Sequence, residues 1–226
     1  MMDAVQCKNL WKIYNAGTPA EVQALRNVNL RVKKGEFVSI VGRSGSGKST
    51  LLNMIGALDI PTKGSVFIDG VDISTLDDNQ LAGIRSKKIG FVFQSFNLIN
   101  SMTSLENVIL PMIFKGMSGK QRMEKAKRLL EKVGLEKKFH ARPNEMSGGE
   151  NQRVSIARAL ANDPTFMLAD EPTGNLDSKN GKNIMDILKK LNKDDITIII
   201  VTHDQRIARE AHRIVRMTDG ELKDGL

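Results

Sequence analysis

The nine residues GRSGSGKST at positions 42–50 constrain the fold of this chain more than any other stretch. They follow the apolar run FVSIV, which predicts a buried strand, and they open the helical pattern KSTLLNMIGAL. A glycine-rich turn between a strand and a helix is the context in which the pattern GxxxxGK(S/T) binds phosphate. The sequence therefore predicts a strand–loop–helix unit that holds the phosphates of a nucleotide.

Each residue type in this loop has a chemical reason. Gly42, Gly45 and Gly47 let the backbone curl so that successive N–H groups point at phosphate oxygens, next to the positive end of a helix. Lys48 supplies a point charge for the β and γ phosphates, and the Ser49 hydroxyl can ligate Mg²⁺. The other loop positions that we expect against the nucleotide are Ser44, Ser46 and Thr50.

A second cluster, TFMLADEPTGNLD at residues 165–177, is an apolar strand that ends in two acids. Taken alone, such a pair is usually a solvated strand end. Together with the phosphate loop, Asp170 is the predicted Mg²⁺ ligand, directly or through water. Strand alternation predicts that Glu171 points the other way, toward a water that attacks the γ phosphate.

Two further polar residues follow predicted strands. His203 comes after ITIIIVT, where it can hydrogen-bond the γ phosphate or the attacking water, although a lone histidine is more often structural. Gln94 comes after IGFVF and suits a contact to Mg²⁺ or water that must form and break. Carboxyl ends of parallel strands meet at one sheet edge, so we expect these residues near the phosphate loop.

The order of elements predicts an α/β fold with a mostly parallel sheet core, and together with the phosphate loop it resembles a P-loop NTPase with a RecA-like core. Residues 4–14 and 22–32 indicate an N-terminal antiparallel β subdomain, joined by NAGTPAE. Residues 95–160 are helical in pattern, with a capping box at Thr103 and Glu106 and a lysine-rich helix over 119–133. We predict one domain over 1–226: residues 1–94 and 161–226 form the ATP-binding core, and about 95–160 form an inserted α-helical subdomain.

The composition of the chain limits its expected cellular location and the classes of partner that it can bind. Cys7 is the only cysteine, no leader reads as a secretion signal, and the apolar runs are too short to span a bilayer, so we expect a cytoplasmic protein. The net charge of +8 is compatible with binding to nucleic acid, to an acidic membrane face or simply to a nucleotide ligand. Acids interrupt the basic clusters and aromatics are only 4%, which argues against nucleic acid.

The phosphate loop, Gln94, MSGGE, FMLADE, GNLD and His203, in this order, resemble the nucleotide-binding subunit of an ABC transporter over essentially the whole chain. The resemblance implies an ATPase that uses ATP and Mg²⁺ in an ATP-dependent, head-to-tail homodimer. It implies that Ser147, Gly148 and Gly149 contact ATP held by the second subunit, and that Asp177 lies in the loop that crosses the interface. Met146 and Glu150 stand where the family usually has Leu and Gln.

The resemblance also implies a partner and an adenine site. An integral membrane permease would hold the chain at the inner face of the cell membrane. The stretches MIGALDIPTKG and FVFQSFNLINSMTSLENVILPMIFKG are similar to the macrolide-export, lipoprotein-release and cell-division branch, in which Gln94 and the helical segment after it would transmit closure. Tyr14 stands where the family stacks an aromatic on adenine; Trp11 and Phe37 are alternatives, and Tyr14 packing only within the β layer is another.

Two other function classes share these motifs. A soluble cassette ATPase acting on DNA or ribosomes would use the positive charge, but such proteins carry long coiled coils or two cassettes, and no sustained heptads separate Lys48 from Ser147. A regulatory module that binds nucleotide without turnover is opposed by Glu171, Gln94 and His203 together. The transported substrate and the direction of transport are not readable from the sequence.

Glu150 is a negatively charged residue beside a predicted contact to a negatively charged phosphate, so its position needs an explanation. Ser147 and Glu150 have the spacing of a capping box ahead of a helix whose apolar stripe is Val154, Ala157, Leu160 and Ala161. A cap would leave the glycine N–H groups free for phosphate. Alternatively, Glu150 faces the ribose of the ATP bound by the partner and accepts its hydroxyl hydrogen bonds.

Overall fold

The structure is a computed structural model that describes residues 3–224. Within this range the elements run in the order β1 (Asp3–Tyr14), β2 (Val22–Lys33), β3 (Phe37–Val41), α1 (Lys48–Ile55), β4 (Lys63–Ile68), β5 (Val71–Asp72), α2 (Asp78–Lys88), β6 (Ile89–Val92), α3 (Ser104–Phe114), α4 (Gly119–Lys132), a 3₁₀ turn (Pro143–Glu145), α5 (Gly148–Ala159), β7 (Phe166–Asp170), α6 (Ser178–Lys193), β8 (Thr197–Thr202), α7 (Gln205–Ala208), β9 (Arg213–Thr218) and β10 (Glu221–Asp224).

The larger sheet has six strands in the order β10-β9-β3-β8-β7-β6. All pairs from β9 to β6 are parallel, and β10 adds antiparallel at the edge. Every residue of β3 and β8 is buried, as expected for parallel strands covered on both faces. The carboxyl ends of β3, β8, β7 and β6 therefore lie side by side, and the predicted site residues follow these ends.

The smaller sheet is antiparallel, with the order β2-β1-β4-β5. The predicted hairpin of β1 and β2 is confirmed, whereas β4 and β5 are additions that the sequence did not predict. Leu51 and Met54 of α1 are fully buried between this sheet and the larger one, in a core shared with Leu25 of β2 and Ile40 of β3. This packing on both sides fixes α1, and with it the phosphate loop at its start.

The segment between β6 and β7 is helical, as predicted. Helices α3, α4 and α5 pack together around Val108, Met112, Leu130 and Val154, in a core that continues into the larger sheet. The predicted capping box begins α3, because Thr103 N–H donates to Glu106 Oε2 at 2.7 Å and Glu106 N–H donates back to Thr103 Oγ1 at 3.2 Å. Helix α5 also packs on β6, so it belongs to the helical segment and to the layer over the sheet.

None of the helices in residues 3–224 combines the length and the apolar character that crossing a bilayer requires.

Candidate functional site

The phosphate loop fits tightly between neighbouring strands, which explains two of its glycines. A Cβ on Gly42 would lie 2.4 Å from the carbonyl oxygen of Met217, and a Cβ on Gly47 would lie 2.5 Å from that of Ala24. Gly47 is also the N-cap of α1, with φ of 102° and no side-chain cap. The first N–H groups of α1 are therefore not capped by a side chain of their own helix start, and they form a ready site for an anion.

Polar side chains of this loop are arranged around its mouth. Lys48 Nζ donates to the carbonyl oxygen of Arg43 at 2.7 Å, so the ammonium group folds over the loop. The Ser46 hydroxyl is buried and has no hydrogen-bond partner within the described residues. Ser44 and Ser49 are exposed and Thr50 is half-buried. A bound phosphate would give these groups partners.

Asp170 ends β7 at the same sheet edge and is half-buried. Burial raises the pKa of its carboxyl above the ordinary value, the negative charge of Glu171 raises that pKa further, and Lys48 opposes both effects. A divalent cation would stabilise the ionised form of Asp170 beside the second acid.

Glu171 does not follow the strand alternation that the sequence predicted. Strand β7 stops at Asp170, and Glu171 has a φ of +45° in the left-handed region. Its backbone N–H donates to the carbonyl oxygen of Val201 at 2.9 Å. The end of β8, and not the pleat of β7, therefore sets the orientation of this residue.

The Glu171 carboxylate is held by three hydrogen bonds from the end of β8. Oε2 accepts from Thr202 Oγ1 at 2.9 Å, and Oε1 accepts from the backbone N–H of His203 at 2.9 Å. His203 Nδ1 lies 2.6 Å from the same Oε1. Nε2 of this exposed ring takes no part in the contact and stays open to a ligand.

Gln94 is near this cluster but its amide is engaged elsewhere. It lies two residues beyond β6, and its Nε2 donates to Asn175 Oδ1 at 3.2 Å, while Asn175 Nδ2 donates back to the carbonyl oxygen of Gln94 at 3.0 Å. In this structure Gln94 thus contacts the GNLD loop. Asn175 is a site residue that the sequence reasoning missed, although it stands inside a motif that was recognised.

The predicted capping box at the start of α5 is confirmed. Ser147 N–H donates to Glu150 Oε2 at 2.8 Å, and Glu150 N–H donates to Ser147 Oγ at 3.2 Å. Glu150 Oε1 also lies 3.2 Å from Lys138 Nζ, an ion pair that the sequence did not indicate. The Ser147 N–H, with a smaller contribution from Lys138, lowers the pKa of Glu150. Gly148 and Gly149 occupy the first turn.

Asp177 and the aromatic candidates have clear local roles. Asp177 caps α6, where its carboxylate accepts from Asn180 N–H at 2.9 Å and from Asn180 Nδ2 at 2.6 Å, and these bonds lower its pKa. Tyr14 ends β1 half-buried, with its hydroxyl 3.3 Å from Asp59 Oδ2. The alternative that Phe37 stacks on adenine is wrong, because this side chain is buried in β3 and makes a T-shaped contact with the His212 ring. Trp11 is half-buried opposite Lys63 in the smaller sheet.

The comparison with protein families decides the assignment. Residues 25–174 match the family described as ABC transporter. The chain belongs to this family. It is an ATP-binding cassette, and as such it is an ATPase of the P-loop class, which confirms the family and the fold class that the sequence predicted.

Individual relatives of the cassette agree with this assignment. It is 52% identical over 223 residues to an uncharacterized ABC transporter ATP-binding protein of Thermotoga maritima, covering 99% of this chain and 95% of that protein. It is 50% identical over 221 residues to the macrolide export ATP-binding/permease protein MacB of Aggregatibacter actinomycetemcomitans, covering 98% of this chain but 34% of MacB.

A solved structure shows the same architecture. It is the dimeric post-hydrolysis state of the ATP-binding cassette MJ0796 bound to ADP and Pi, from a protein of Methanocaldococcus jannaschii. The similarity has a TM-score of 0.88 at 53% identity and covers 98% of this chain and 97% of that chain.

Proposed function

We propose that two copies of the chain bind two Mg²⁺-ATP molecules in a head-to-tail dimer, hydrolyse them, and thereby drive an integral membrane permease. The observation that carries the proposal is the arrangement at one sheet edge, where an uncapped phosphate loop with Lys48 lies beside Asp170 and the hydrogen-bonded pair of Glu171 and His203.

Mg²⁺ fits the donor set at this edge. Asp170, whose pKa is raised beside a second acid, would hold the ion directly or through water, and the Ser49 hydroxyl would be a second ligand. When bound, Mg²⁺ neutralises the charge that develops on the β and γ phosphate oxygens. Gln94 would join this set only after its amide leaves Asn175.

The protein groups supply the remaining steps of hydrolysis. Lys48 exchanges its contact with Arg43 for the β and γ phosphates. Glu171 accepts a proton from the attacking water, and its three hydrogen bonds from Thr202 and His203 hold it in place beforehand. The exposed Nε2 of His203 is left to contact the γ phosphate or the water. Tyr14, tethered at Asp59, supplies the adenine platform.

The second half of each site would come from the other copy. Ser147, Gly148 and Gly149 lie at the start of α5, whose cap uses Glu150 and leaves the glycine N–H groups for a phosphate. Asp177 lies at the start of α6 within the GNLD loop and would cross the interface. The dimeric state of the MJ0796 cassette bound to ADP and Pi supports this arrangement.

A groove of about 360 Å³ between α2, β6, α3 and α5 is the proposed permease contact. Its walls are largely apolar: Phe91 and Phe93 stack at a centroid distance of 5.4 Å, and Phe114 is 78% exposed. An apolar groove suits a protein helix better than a nucleic acid. The MacB relative is named as an ATP-binding/permease protein, which supports a permease of the export branch and a peripheral position at the inner membrane face.

The variant Glu171→Gln tests this proposal. The amide keeps the size of the side chain but cannot take up a proton, so we expect ATP to bind, hydrolysis to slow and an ATP-held dimer to accumulate, as measured by light scattering. Lys48→Ala is the control that should stay monomeric, because it removes the positive charge that binds the β and γ phosphates. An E171Q protein that remains monomeric in ATP contradicts the shared-site dimer.

A further inference from the structure

Helix α5 carries a fully buried glutamine at its second turn. Gln152 has no exposed surface. A buried amide costs free energy unless it is hydrogen-bonded, and within the described residues its Nε2 has partners whereas its Oε1 has none. Gln152 Nε2 donates to the carbonyl oxygen of Pro172 at 2.7 Å and lies 3.4 Å from that of Phe93. One side chain therefore contacts two loops, one after β6 and one after β7. The contacted residues, Phe93 and Pro172, are 79 positions apart in sequence.

Both carbonyl groups adjoin residues of the proposed hydrolytic site. Pro172 directly follows Glu171, and Phe93 directly precedes Gln94. On its other side Glu171 is held by the end of β8, through the Val201 carbonyl and the Thr202 hydroxyl. The loop that carries Glu171 is thus held on one side by β8 and at Pro172 by Gln152.

A second residue of α5 holds the continuation of the Gln94 loop. Arg158 donates from one guanidinium nitrogen to the carbonyl oxygen of Phe96 at 2.8 Å and from the other to that of Asn97. Phe96 and Asn97 both have positive φ, with values of 59° and 49°. Helix α5, which Ser147 caps, therefore contacts both loops through side chains of its own.

We propose that Gln152 is a positioning residue that couples α5 to the loop of Glu171. When the ATP of the partner copy engages Ser147 and the following glycines, α5 is fixed, and the contact from Gln152 to Pro172 fixes the Glu171 loop in its hydrolytic position. The inference rests on the proposed function, in which Glu171 is the general base.

Ser155 provides a matched control on the same helix. It is fully buried like Gln152, but its hydroxyl has no hydrogen-bond partner within the described residues. Ser155→Ala therefore removes a buried polar group from α5 without touching either loop. Gln152→Met removes the donor while keeping an unbranched side chain that adapts to its pocket.

The test compares kcat and KM for ATP in these two variants and follows ATP-driven dimerisation of each in the Glu171→Gln background. For Gln152→Met we expect kcat to fall about tenfold or more with KM changed less than about threefold, because a displaced catalytic group costs rate and not ATP affinity. The ATP-held dimer should persist, and Ser155→Ala should match the wild-type rate.

A kcat for Gln152→Met equal to that of Ser155→Ala would overturn the inference, and so would loss of the ATP-held dimer together with kcat. If Gln152→Met lowers the folded fraction, Gln152→Asn keeps the amide but shortens its reach, and the same split between kcat and KM is required of it. Glu171→Gln is assayed in parallel. Wild-type hydrolysis by that variant would refute the proposed base, whereas an inactive E171Q beside a fully active Q152M would refute the positioning role alone.

Discussion

At the scale of single residues, Glu150 shows how an acid is accommodated at a helix start that is proposed to contact phosphate. One carboxylate oxygen accepts from the Ser147 N–H and the other pairs with Lys138. Both oxygens therefore have partners within the chain, and the charge is balanced without any nucleotide. The cap explains why the sequence places an acid three residues after Ser147, while a ribose contact stays a prediction.

Replacing Glu150 by Gln should change little. The amide oxygen still accepts from Ser147 N–H, and the lost ion pair with Lys138 is partly exposed, so we expect unfolding free energy to fall by about 0.5–1 kcal/mol. Lys138→Met is the matched control, because it removes the same pair and leaves the cap. Denaturant unfolding measures the stability, and light scattering in the E171Q background measures dimerisation. If only Glu150→Gln abolishes the ATP-held dimer, the carboxylate binds the partner's nucleotide.

At the scale of elements, the sequence predicted what carries a strong local pattern. Buried parallel strands are continuous apolar runs, so β3, β6, β7 and β8 were predicted to within a residue or two. The spacing of Ser or Thr and Glu predicted the caps of α3 and α5. The short pairs β4–β5 and β9–β10 were missed because they are polar and irregular, and their partners lie far away in the chain.

Two ion pairs of Asp69 connect the turn between β4 and β5 to other parts of the chain. Asp69 lies 2.5 Å from both Lys34 Nζ and Lys88 Nζ, and its side chain is 18% exposed. The hydrogen bond from Lys34, followed by that from Lys88, lowers the pKa of Asp69 below its usual value. A carboxyl with a lowered folded pKa adds stability above its unfolded pKa of about 3.9, and loses it as pH falls through the folded pKa.

We therefore expect Asp69→Asn to lower the unfolding free energy by roughly 1 kcal/mol at neutral pH, with a difference that is constant down to about pH 5 and shrinks below about pH 4. Denaturant unfolding across this range measures it. Asp3→Asn, which breaks the exposed pair with Arg31, is the control and should cost less. A difference between wild type and Asp69→Asn that grows in acid would contradict the assigned sign.

At the scale of the whole molecule, the predicted site residues lie at one sheet edge, and the apolar groove lies between α2, β6, α3 and α5. The sequence names candidate site residues because each motif carries its own chemical signature, and their roles stay predictions. Their neighbours Asn175, Lys138 and Gln152 could not, because these contacts join elements distant in sequence and depend on packing. Glu171 shows the same limit: its identity was predicted, but its orientation depends on a left-handed backbone and on β8.

The proposed permease contact at the groove can be tested independently of ATP hydrolysis. Phe114→Asp places a charge in an exposed apolar wall, so we expect recovery of the chain with membranes, in a co-sedimentation assay, to be lost while its own ATPase rate is unchanged. Met123→Asp is the control, because Met123 is 41% exposed on α4 and does not line the groove. Unchanged recovery of Phe114→Asp with membranes would refute the groove as the permease contact.

The central claim is that Glu171, held by the end of β8, activates the water that hydrolyses ATP. Phosphate release at saturating ATP and Mg²⁺ tests it most directly, in wild type and in Glu171→Gln with equal nucleotide occupancy. We predict a rate at least about 100-fold lower for Glu171→Gln, the usual contribution of a positioned general base. A rate equal to that of the wild type would contradict the claim.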